Sequence, residues 1–312
     1  MAEVAIIGAG QTTFDFQTKK VEVIDLPTLK KTQKEHYCGV PLRGIYHFDA
    51  IERALAICGK HNLDYQIEEV FAAHNNSKQY PGTSVLEQLE VQYGKNAVEA
   101  HILRRVFTTI RIRNHETEEL TTTLVIAYHQ DGIQTAIGPC VKICHNQCIM
   151  SPERTASTFG KDKVSVEDIF GVIDGWLSNF HTEMSADRAR IERLKNTPVS
   201  QQEILTYIGI LSAMRVAHDS SDKRLREKVA QYPLNSAQIN RFTEDILKKM
   251  TDIPNMTAWD VYNTATEYYK PDEYEIPTLI PQNLAFTESL VDFIEGKSLF
   301  EEAEYVEVEM VA

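Results

Sequence analysis

The sequence has no long apolar segment and no basic, apolar leader at its start. None of its apolar runs approaches the roughly 18 residues that a membrane-spanning helix needs, and the first residues, MAEVAIIGAGQ, carry no basic flank. The five cysteines are an odd number scattered along 312 residues, which fits a reducing compartment better than a disulfide framework. We therefore expect a cytoplasmic protein without a membrane-bound segment.

The sequence also lacks the common catalytic signatures. No Walker A, G-x-S-x-G, H-E-x-x-H or kinase pattern occurs in it. The N-terminal VAIIGAGQTT places Gly8 and Gly10 after an apolar run, as a dinucleotide-binding turn does. However, Thr13 occupies the third glycine position, and the polar FDFQTKK follows in place of an apolar helix. We expect a protein that is not an enzyme and that needs no cofactor.

Basic residues are scarce at the C-terminal end. Residues 252–312 hold two of them, Lys270 and Lys297, against 14 acids, whereas the remaining residues carry 30 bases and 31 acids. The net charge of −13 therefore belongs almost wholly to the last fifth of the chain. The near-neutral body remains free to meet a polyanion such as nucleic acid. The final EEAEYVEVEM predicts a solvated acidic tail over residues 297–312.

The order of the periodic patterns predicts an α+β fold, with an antiparallel β-sheet and helices in the N-terminal half and a helical C-terminal half. Residues 1–46 show no sustained periodicity and predict a poorly packed lead-in. Residues 47–152 predict a mixed α/β domain in which three segments rich in Thr, Ile and Val form an antiparallel meander. Residues 153–296 predict a helical region that packs on this domain.

Capping boxes indicate where several helices begin, because a cap residue and a residue three positions later can exchange hydrogen bonds. The boxes are Ser84 with Glu87, Ser165 with Asp168, Ser200 with Glu203, and Asn235 with Gln238. After Ser165, apolar residues recur at helical spacing to Phe180, and we predict one helix with a polar extension to about Lys195. A short helix with Trp259 and Tyr262 is expected to pack on the β region.

The segment HILRRVFTTIRIR separates its side chains by parity. One set is mainly apolar. The other set carries the predicted contacts Arg105, Phe107, Arg111 and Arg113, to which we add Lys142. Guanidinium groups around an aromatic ring can grip phosphates and stack unpaired bases, so this set predicts a surface that binds single-stranded nucleic acid. The alternative is a solvated face whose arginines form cross-strand ion pairs with Glu116, Glu118 and Glu119.

Three cysteines and a histidine lie within nine residues, at Cys140, Cys144, His145 and Cys148. Thiolates and imidazole suit zinc or an iron–sulfur cluster, but the C-x₃-C-x₃-C spacing lacks the paired pattern of zinc sites. The alternative is a strand end whose cysteines pack as small apolar residues. We predict no metal site and keep Cys140, Cys144 and Cys148 as weak candidate ligands.

Two segments resemble a known family. One is VKICHNQCIMSPERTASTFG, in which Cys144 to Asn146 match as a motif, and the other is TAWDVYNTATEYYKPDEYE, with its W-x-x-Y-N-x-x-T-E-Y pattern. Both are similar to the phage- and plasmid-borne domain of unknown function DUF932. A related uncharacterised family from Bacteroides-type bacteria and their phages shares the architecture. The likeness spans residues 47–296, and Lys270 and Pro271 stand where the family often has a histidine, so the chain resembles a divergent member. The resemblance implies a mobile-element protein, often encoded near replication, recombination or anti-restriction genes, and it brings no catalytic residues.

These observations lead to one hypothesis and one alternative. We expect a non-enzymatic phage or plasmid protein, in the host cytoplasm if phage-encoded, that binds single-stranded nucleic acid in replication, recombination or annealing. The helical cations Arg188, Arg190, Arg193 and Lys195 would extend the contact. In the alternative, the acidic residues 272–309 bind a host or phage protein, as a defence inhibitor that imitates DNA or as a virion or cargo component. Self-association is compatible with both.

Overall fold

The computed structural model describes residues 21–27, 29–30, 45–73, 105–129, 132–142, 146–160, 163–229, 231–269 and 276–297. The chain forms two compact units. The first, the sheet unit, consists of residues 1–191 and 266–280, and the second, the helical unit, consists of residues 192–265 and 281–312. The boundary predicted at residue 152 lies inside the sheet unit, because the helix that follows it packs on the sheet.

The sheet is an antiparallel meander, as the sequence predicts. Its strands are β1 (Val21–Val23), β2 (Tyr65–Ala73), β3 (Arg105–Ile112), β4 (Leu120–His129), β5 (Gly132–Val141), β6 (Asn146–Gln147) and β7 (Thr155–Ser157). Strands β1 to β5 lie side by side in chain order, and both β6 and β7 pair with β5. The α+β class is therefore confirmed.

The helices of the described residues are α1 (His47–Lys60), α2 (Val166–Ser178), α3 (Phe180–Lys195), α4 (Gln201–His218), α5 (Lys223–Lys228), α6 (Ser236–Asp252), α7 (Ala258–Thr266) and α8 (Ile276–Ile294). The capping boxes at Ser165, Ser200 and Asn235 are present with both hydrogen bonds, and the box at Ser84 lies outside the described residues. No helix in this part of the chain is long and apolar enough to cross a membrane.

The single helix predicted from Ser165 to Lys195 is in fact two helices. The break lies at Asn179, whose backbone leaves the helical conformation with φ of −107° and ψ of 20° and whose side-chain amide donates to the carbonyl oxygen of Gly175 at 3.3 Å. Asparagine is disfavoured in helix interiors because its side chain can bond to nearby backbone groups, and this favours a break at such a residue. The periodicity of apolar residues continues across the break and does not reveal it.

One face of the sheet packs against α1 and α2. On this face Ile110 of β3 lies beside Leu124 of β4, which lies beside Ile137 of β5. All three are fully buried in one core cluster with residues of α1 and α2, among them Ala54 and Ile169. The parity predicted for β3 is confirmed, because its apolar set is the one that meets the helices.

The opposite face of the sheet is buried as well. Phe107 is 5% exposed, and Val125 and Ala136 on the same face are 1% and 0% exposed. The prediction that Phe107 lies on a surface where bases can stack is therefore wrong. Strand parity separates two sets of side chains, but it does not indicate whether the rest of the chain covers both of them.

The chain crosses this second face at Gly138. A Cβ atom at this position would lie 2.1 Å from the carbonyl oxygen of Cys148, so a larger residue fits there only if the backbone shifts. The backbone N–H of Cys148 donates to the carbonyl oxygen of Pro139 at 2.7 Å. We call residues 146–154 the crossing segment, which begins at β6 and ends in a 3-10 turn at Pro152–Arg154.

Part of the predicted lead-in belongs to the sheet. Strand β1 pairs with the end of β2, and Leu29 is 0% exposed in a second core cluster with Phe48 and Val70. The prediction of a poorly packed lead-in is wrong for these residues, because their few apolar positions are too short a run to show periodicity. Gly8 and Gly10 lie outside the described residues.

The close approach at Gly138 predicts a stability difference between two glycines. Gly138→Ala should lower the free energy of unfolding by about 1–3 kcal/mol, because backbone has to shift to admit the methyl group. The matched control is Gly171→Ala in α2, where an added Cβ meets nothing within 4 Å and the higher helix propensity of alanine should add up to about 1 kcal/mol. Urea unfolding of the two variants measures both effects, and equal stability would contradict this packing.

Burial of His47 predicts a pH dependence. The ring is 3% exposed and edge-on to Tyr128, and burial lowers the pKa of His47 from 6.5 to about 3. As pH falls from 6.5 towards 3, the unfolded chain takes up a proton that the folded ring does not. The free energy of unfolding should therefore fall by up to about 1.36 kcal/mol per pH unit from this group.

His47→Phe should remove this part of the acid sensitivity. Urea unfolding of both proteins from pH 8 to pH 4 measures the effect, and the difference at pH 8, where the ring is neutral in both states, gives the packing cost to be subtracted. Parallel curves for the two proteins would show that His47 takes up a proton in the folded state.

Candidate functional site

Four polar side chains meet at one end of the sheet. Glu116, in the turn between β3 and β4, accepts hydrogen bonds at Oε1 from Arg111 Nε at 2.9 Å and from Thr121 Oγ1 at 2.7 Å. Its Oε2 lies 3.0 Å from Lys142 Nζ. Arg111 belongs to β3, Thr121 to β4, and Lys142 follows β5, so three neighbouring strands each supply one donor. We call Arg111, Glu116, Thr121 and Lys142 the strand-end cluster.

The register of the meander places these donors together. The end of β3 lies beside the start of β4, with Ile112 opposite Thr122, and the start of β4 lies beside the end of β5, with Leu120 opposite Val141. Antiparallel strands joined by short turns bring such ends to one edge of the sheet. The cluster therefore follows from strand pairing that the sequence predicts.

The turn that carries Glu116 is held from both sides. The backbone N–H of Glu116 donates to the carbonyl oxygen of Arg113 at 3.2 Å, and His115 adopts a left-handed conformation with φ of 61°. Arg188 of α3 donates to the carbonyl oxygen of His115. The position of the Glu116 carboxylate is thus set by the turn and by a contact from a helix.

The strand-end cluster stabilises the ionised form of Glu116. Partial burial alone would raise the pKa of Glu116, but hydrogen bonds from Thr121, Lys142 and Arg111 lower it to about 2. Arg111, Glu116 and Lys142 are 23%, 21% and 25% exposed at their side chains, so the site is half-buried and reachable from solvent. Glu68 adds a second carboxylate 3.8 Å from Arg111. The arrangement is an oxyanion site that the protein's own carboxylate occupies.

The other residues predicted from the β3 sequence lie outside this cluster. Arg113 pairs with Asp64 at 2.8 Å, and both side chains are largely exposed, so the pair contributes little to stability. Phe107 is buried, as described above, and the side chain of Arg105 lies outside the described residues. Of the alternative ion pairs predicted across the turn, the one to Glu116 is present in the structure.

The helical cations predicted to extend a nucleic-acid surface all have partners. Arg190 pairs with Asp187 at 3.1 Å, Arg193 with Glu295 at 2.8 Å, and Lys195 with Glu192 at 3.1 Å, and Arg188 bonds to the turn after β3. Each of these four cations of α3 therefore has an acid or a carbonyl oxygen as a local partner. The number of charged residues can be read from the sequence, but the pairs that they form in the folded chain cannot.

Cys140 and Cys148 are buried, at 3% and 0% exposure. Their sulfur atoms face carbonyl oxygens of Val141 and Asn146. Cys144 lies outside the described residues. Within the described ranges no three His, Cys, Asp or Glu side chains converge as a metal site would require.

Sequence reasoning missed a contact between the two segments that resemble a family. Asn146, 1% exposed in β6, donates from Nδ2 to Glu267 Oε1 at 3.1 Å, across 121 positions of sequence. Glu267 directly follows α7, next to the buried Thr266. The conjunction of the two motifs in one chain is the signal that could have suggested this contact, since residue spacing does not report on pairs so far apart.

The aromatic residues of α7 contact each other and helix α8. The rings of Trp259 and Tyr262 stack at 5.7 Å between centroids, and Tyr262 donates from its hydroxyl to Asn283 Oδ1 at 3.2 Å. Both contacts lie within the helical unit. A helical stripe indicates a buried face and not its partner, and packing of this stripe on the β region stays a prediction.

The crossing segment ends at a buried ion pair. Arg154 Nε lies 2.8 Å from Asp187 Oδ2, and the two side chains are 5% and 0% exposed. Glu183 also contacts Arg154, and Arg190 also contacts Asp187. A buried pair of this kind is weak evidence for stability, but the loss of one partner leaves a buried charge uncompensated.

Of the acidic residues 272–309, the structure describes residues 276–297. There Asp292 and Glu295 lie 3.1 Å and 2.6 Å from Lys297, and Glu295 also pairs with Arg193. Two of the three acids in this described portion are therefore paired with cations. The acidic tail beyond it, on which the protein-interaction hypothesis rests, lies outside the described residues.

A family model described as Domain of unknown function (DUF932) matches residues 79–274, which is more than half of the chain. The matched range contains the strand-end cluster, the crossing segment and the contact between Asn146 and Glu267. Neither the curated proteins nor the solved structures yield a match.

The buried ion pair predicts a non-additive effect. Arg154→Met or Asp187→Leu alone should cost about 3–5 kcal/mol of unfolding free energy, because each leaves a buried charge without its main partner. The double variant should cost clearly less than the sum. A double-mutant cycle by urea unfolding measures the coupling, with Arg113→Met at the exposed pair as the control that should cost about 0–1 kcal/mol. Additive single costs would contradict a coupled pair.

Proposed function

The chain belongs to the DUF932 family, and we propose that this member binds the phosphate backbone of single-stranded nucleic acid at the strand-end cluster. The observation that carries the proposal is the convergence of a guanidinium, an ammonium and a hydroxyl, from three neighbouring strands, on one oxyanion. Glu116 would be exchanged for a phosphate when nucleic acid binds.

The donor set matches the chemistry of a phosphate group. A guanidinium offers directed N–H donors to anionic oxygens, an ammonium supplies a compact charge, and a hydroxyl adds a further donor. In the free protein Arg111 and Lys142 already direct their donors at an anion, so a phosphate would find them oriented. Arg113, whose pair with Asp64 is exposed, supplies a third cation beside the same turn.

The site favours one strand over a duplex. Three cations at one edge of a sheet can neutralise one or two phosphates, whereas a duplex carries a charge about every 1.7 Å and meets a chain whose net charge is −13. Because Phe107 is buried, base stacking on it is no part of the proposal. Affinity would therefore come from phosphate contacts, independent of sequence and strongly dependent on salt.

A substitution of Glu116, the carboxylate in the strand-end cluster, tests the proposal most directly. Glu116→Gln removes the competing carboxylate but keeps the shape of the side chain, so affinity for a single-stranded oligonucleotide should rise about tenfold, or about 1.4 kcal/mol, at low salt. Arg111→Gln with Lys142→Gln, in the same background, should remove the gain. Fluorescence anisotropy with a labelled oligonucleotide at two salt concentrations, with duplex as a second arm, measures both.

A matched control separates the site from net charge. Asp174→Asn also removes one negative charge, and it frees Lys60 and His61 at a different surface. It should leave the affinity near that of the wild type. The proposal fails if the variants at Glu116 and Asp174 gain equally, or if the folded variant at Glu116, checked by circular dichroism, binds neither probe at low salt.

A further inference from the structure

Helix α4 is unusual for its lack of charge. Residues 204–214, ILTYIGILSAM, contain no charged side chain, in a chain of which 25% is charged. The apolar residues of this stretch also lie on all sides of the helix. A helix with this composition is normally surrounded by other protein.

The inner side of α4 is covered as expected. Ile204, Tyr207 and Leu211 are at most 2% exposed, and the Tyr207 ring packs edge-on against Phe286 of α8 at 5.7 Å between centroids. The Tyr207 hydroxyl lies 2.8 Å from Ser289 Oγ. This side therefore belongs to the core of the helical unit.

The other side of α4 meets solvent. We call it the outer face of α4, and its residues are Leu205, Thr206, Gly209, Ser212, Ala213 and Val216. Leu205 is 47% exposed and Val216 is 71% exposed. An added Cβ atom at Gly209 would meet nothing within 4 Å, so the centre of the face is open.

The neighbouring helix α6 shows the ordinary pattern for a surface helix. Several of its exposed residues are charged, among them Arg241, Glu244 and Lys248, and they surround the one large exposed apolar residue of this helix, Leu247. Its inner side buries Phe242 and Ile246. The uncharged outer face of α4 therefore differs from the solvent side of a helix in the same unit.

We propose that the outer face of α4 binds the same face of a second copy of this chain. A net charge of −13 makes copies repel one another, so they can meet closely only where charge is absent. The outer face of α4 is such a place, and an acidic or basic partner would find nothing there to pair with. An identical face loses no charged group from water when it docks.

An antiparallel pair of α4 helices fits the charges at the helix ends. The first turn carries Glu203, and the last turn carries Arg215 and His218, with Arg215 held by Asp219. In the antiparallel arrangement the acidic end of one helix lies beside the basic end of the other, and the two helix dipoles oppose each other favourably. A two-fold axis also makes the interface close on itself as a dimer.

The spacing of residues fits the same arrangement. With the two-fold axis at Gly209, near the middle of Gln201–His218, the two Gly209 residues face each other and allow close approach of the helices. Leu205 of one copy then lies opposite Ala213 of the other, and this apolar pair occurs twice. Val216 lies three positions farther from the axis than Ala213, opposite Gln202 of the other copy.

Charge placed on the outer face should separate the copies. Sedimentation velocity of the full chain should show a dimer whose fraction rises with concentration. Val216→Lys should raise its dissociation constant at least about tenfold, because docking would bury an unpaired ammonium group. The control is Leu247→Lys on α6, at a residue that is 43% exposed and outside the face, and it should leave the dimer unchanged.

Cross-linking tests the position of the axis. With an added oxidant, Gly209→Cys should form a disulfide between copies, whereas Gly171→Cys, at another open helical position, should not exceed the wild type. The proposal is overturned by a wild type that stays a single copy at every concentration, by equal effects of the two lysine variants, or by equal cross-linking at positions 209 and 171.

Discussion

The carbonyl oxygen of Cys148 lies where a side chain at position 138 would have to be, and much of the sheet unit depends on this close approach. Because glycine admits the backbone there, the crossing segment can lie against the second face of the sheet. The segment begins four residues after Lys142. Its Asn146 donates a hydrogen bond to Glu267, and its Arg154 forms an ion pair with Asp187. One small residue in β5 thus allows a polar contact with the end of α7 and a buried ion pair with α3.

The parts of this fold that local chemistry determines could be predicted from the sequence. The meander and the capping boxes at Ser165, Ser200 and Asn235 depend on residues close in sequence, and all are present. The burial of Phe107 and the contact of Asn146 with Glu267 depend on segments far away in sequence, and periodicity carries no information about them. The strand-end cluster lies between these cases. Its strands and the ion pair of Arg111 with Glu116 could be predicted, the latter as an alternative, but the convergence of Thr121 and Lys142 on the same carboxylate could not.

Many charged side chains in the described part of the chain form ion pairs with other side chains of the same unit. Arg111 and Lys142 share one carboxylate, Arg154 is buried with Asp187, and Asp292 and Glu295 are met by Lys297. Under the proposed function an anionic ligand has to displace an internal acid, and we therefore expect the affinity of the wild type to be weak and sensitive to salt. In the helical unit the outer face of α4 differs from these sites, because it has no charged residue. A partner that docks on this face therefore displaces no internal ion pair.

The proposed function requires that Arg111 exchanges Glu116 for a phosphate. Two-dimensional NMR of the arginine Nε–Hε groups, during titration with a single-stranded oligonucleotide at low salt, observes this exchange at the atom concerned. The Arg111 signal should move progressively, while the signal of Arg154, buried against Asp187, should stay in place. An Arg111 signal that stays fixed while other arginines respond would contradict the claim.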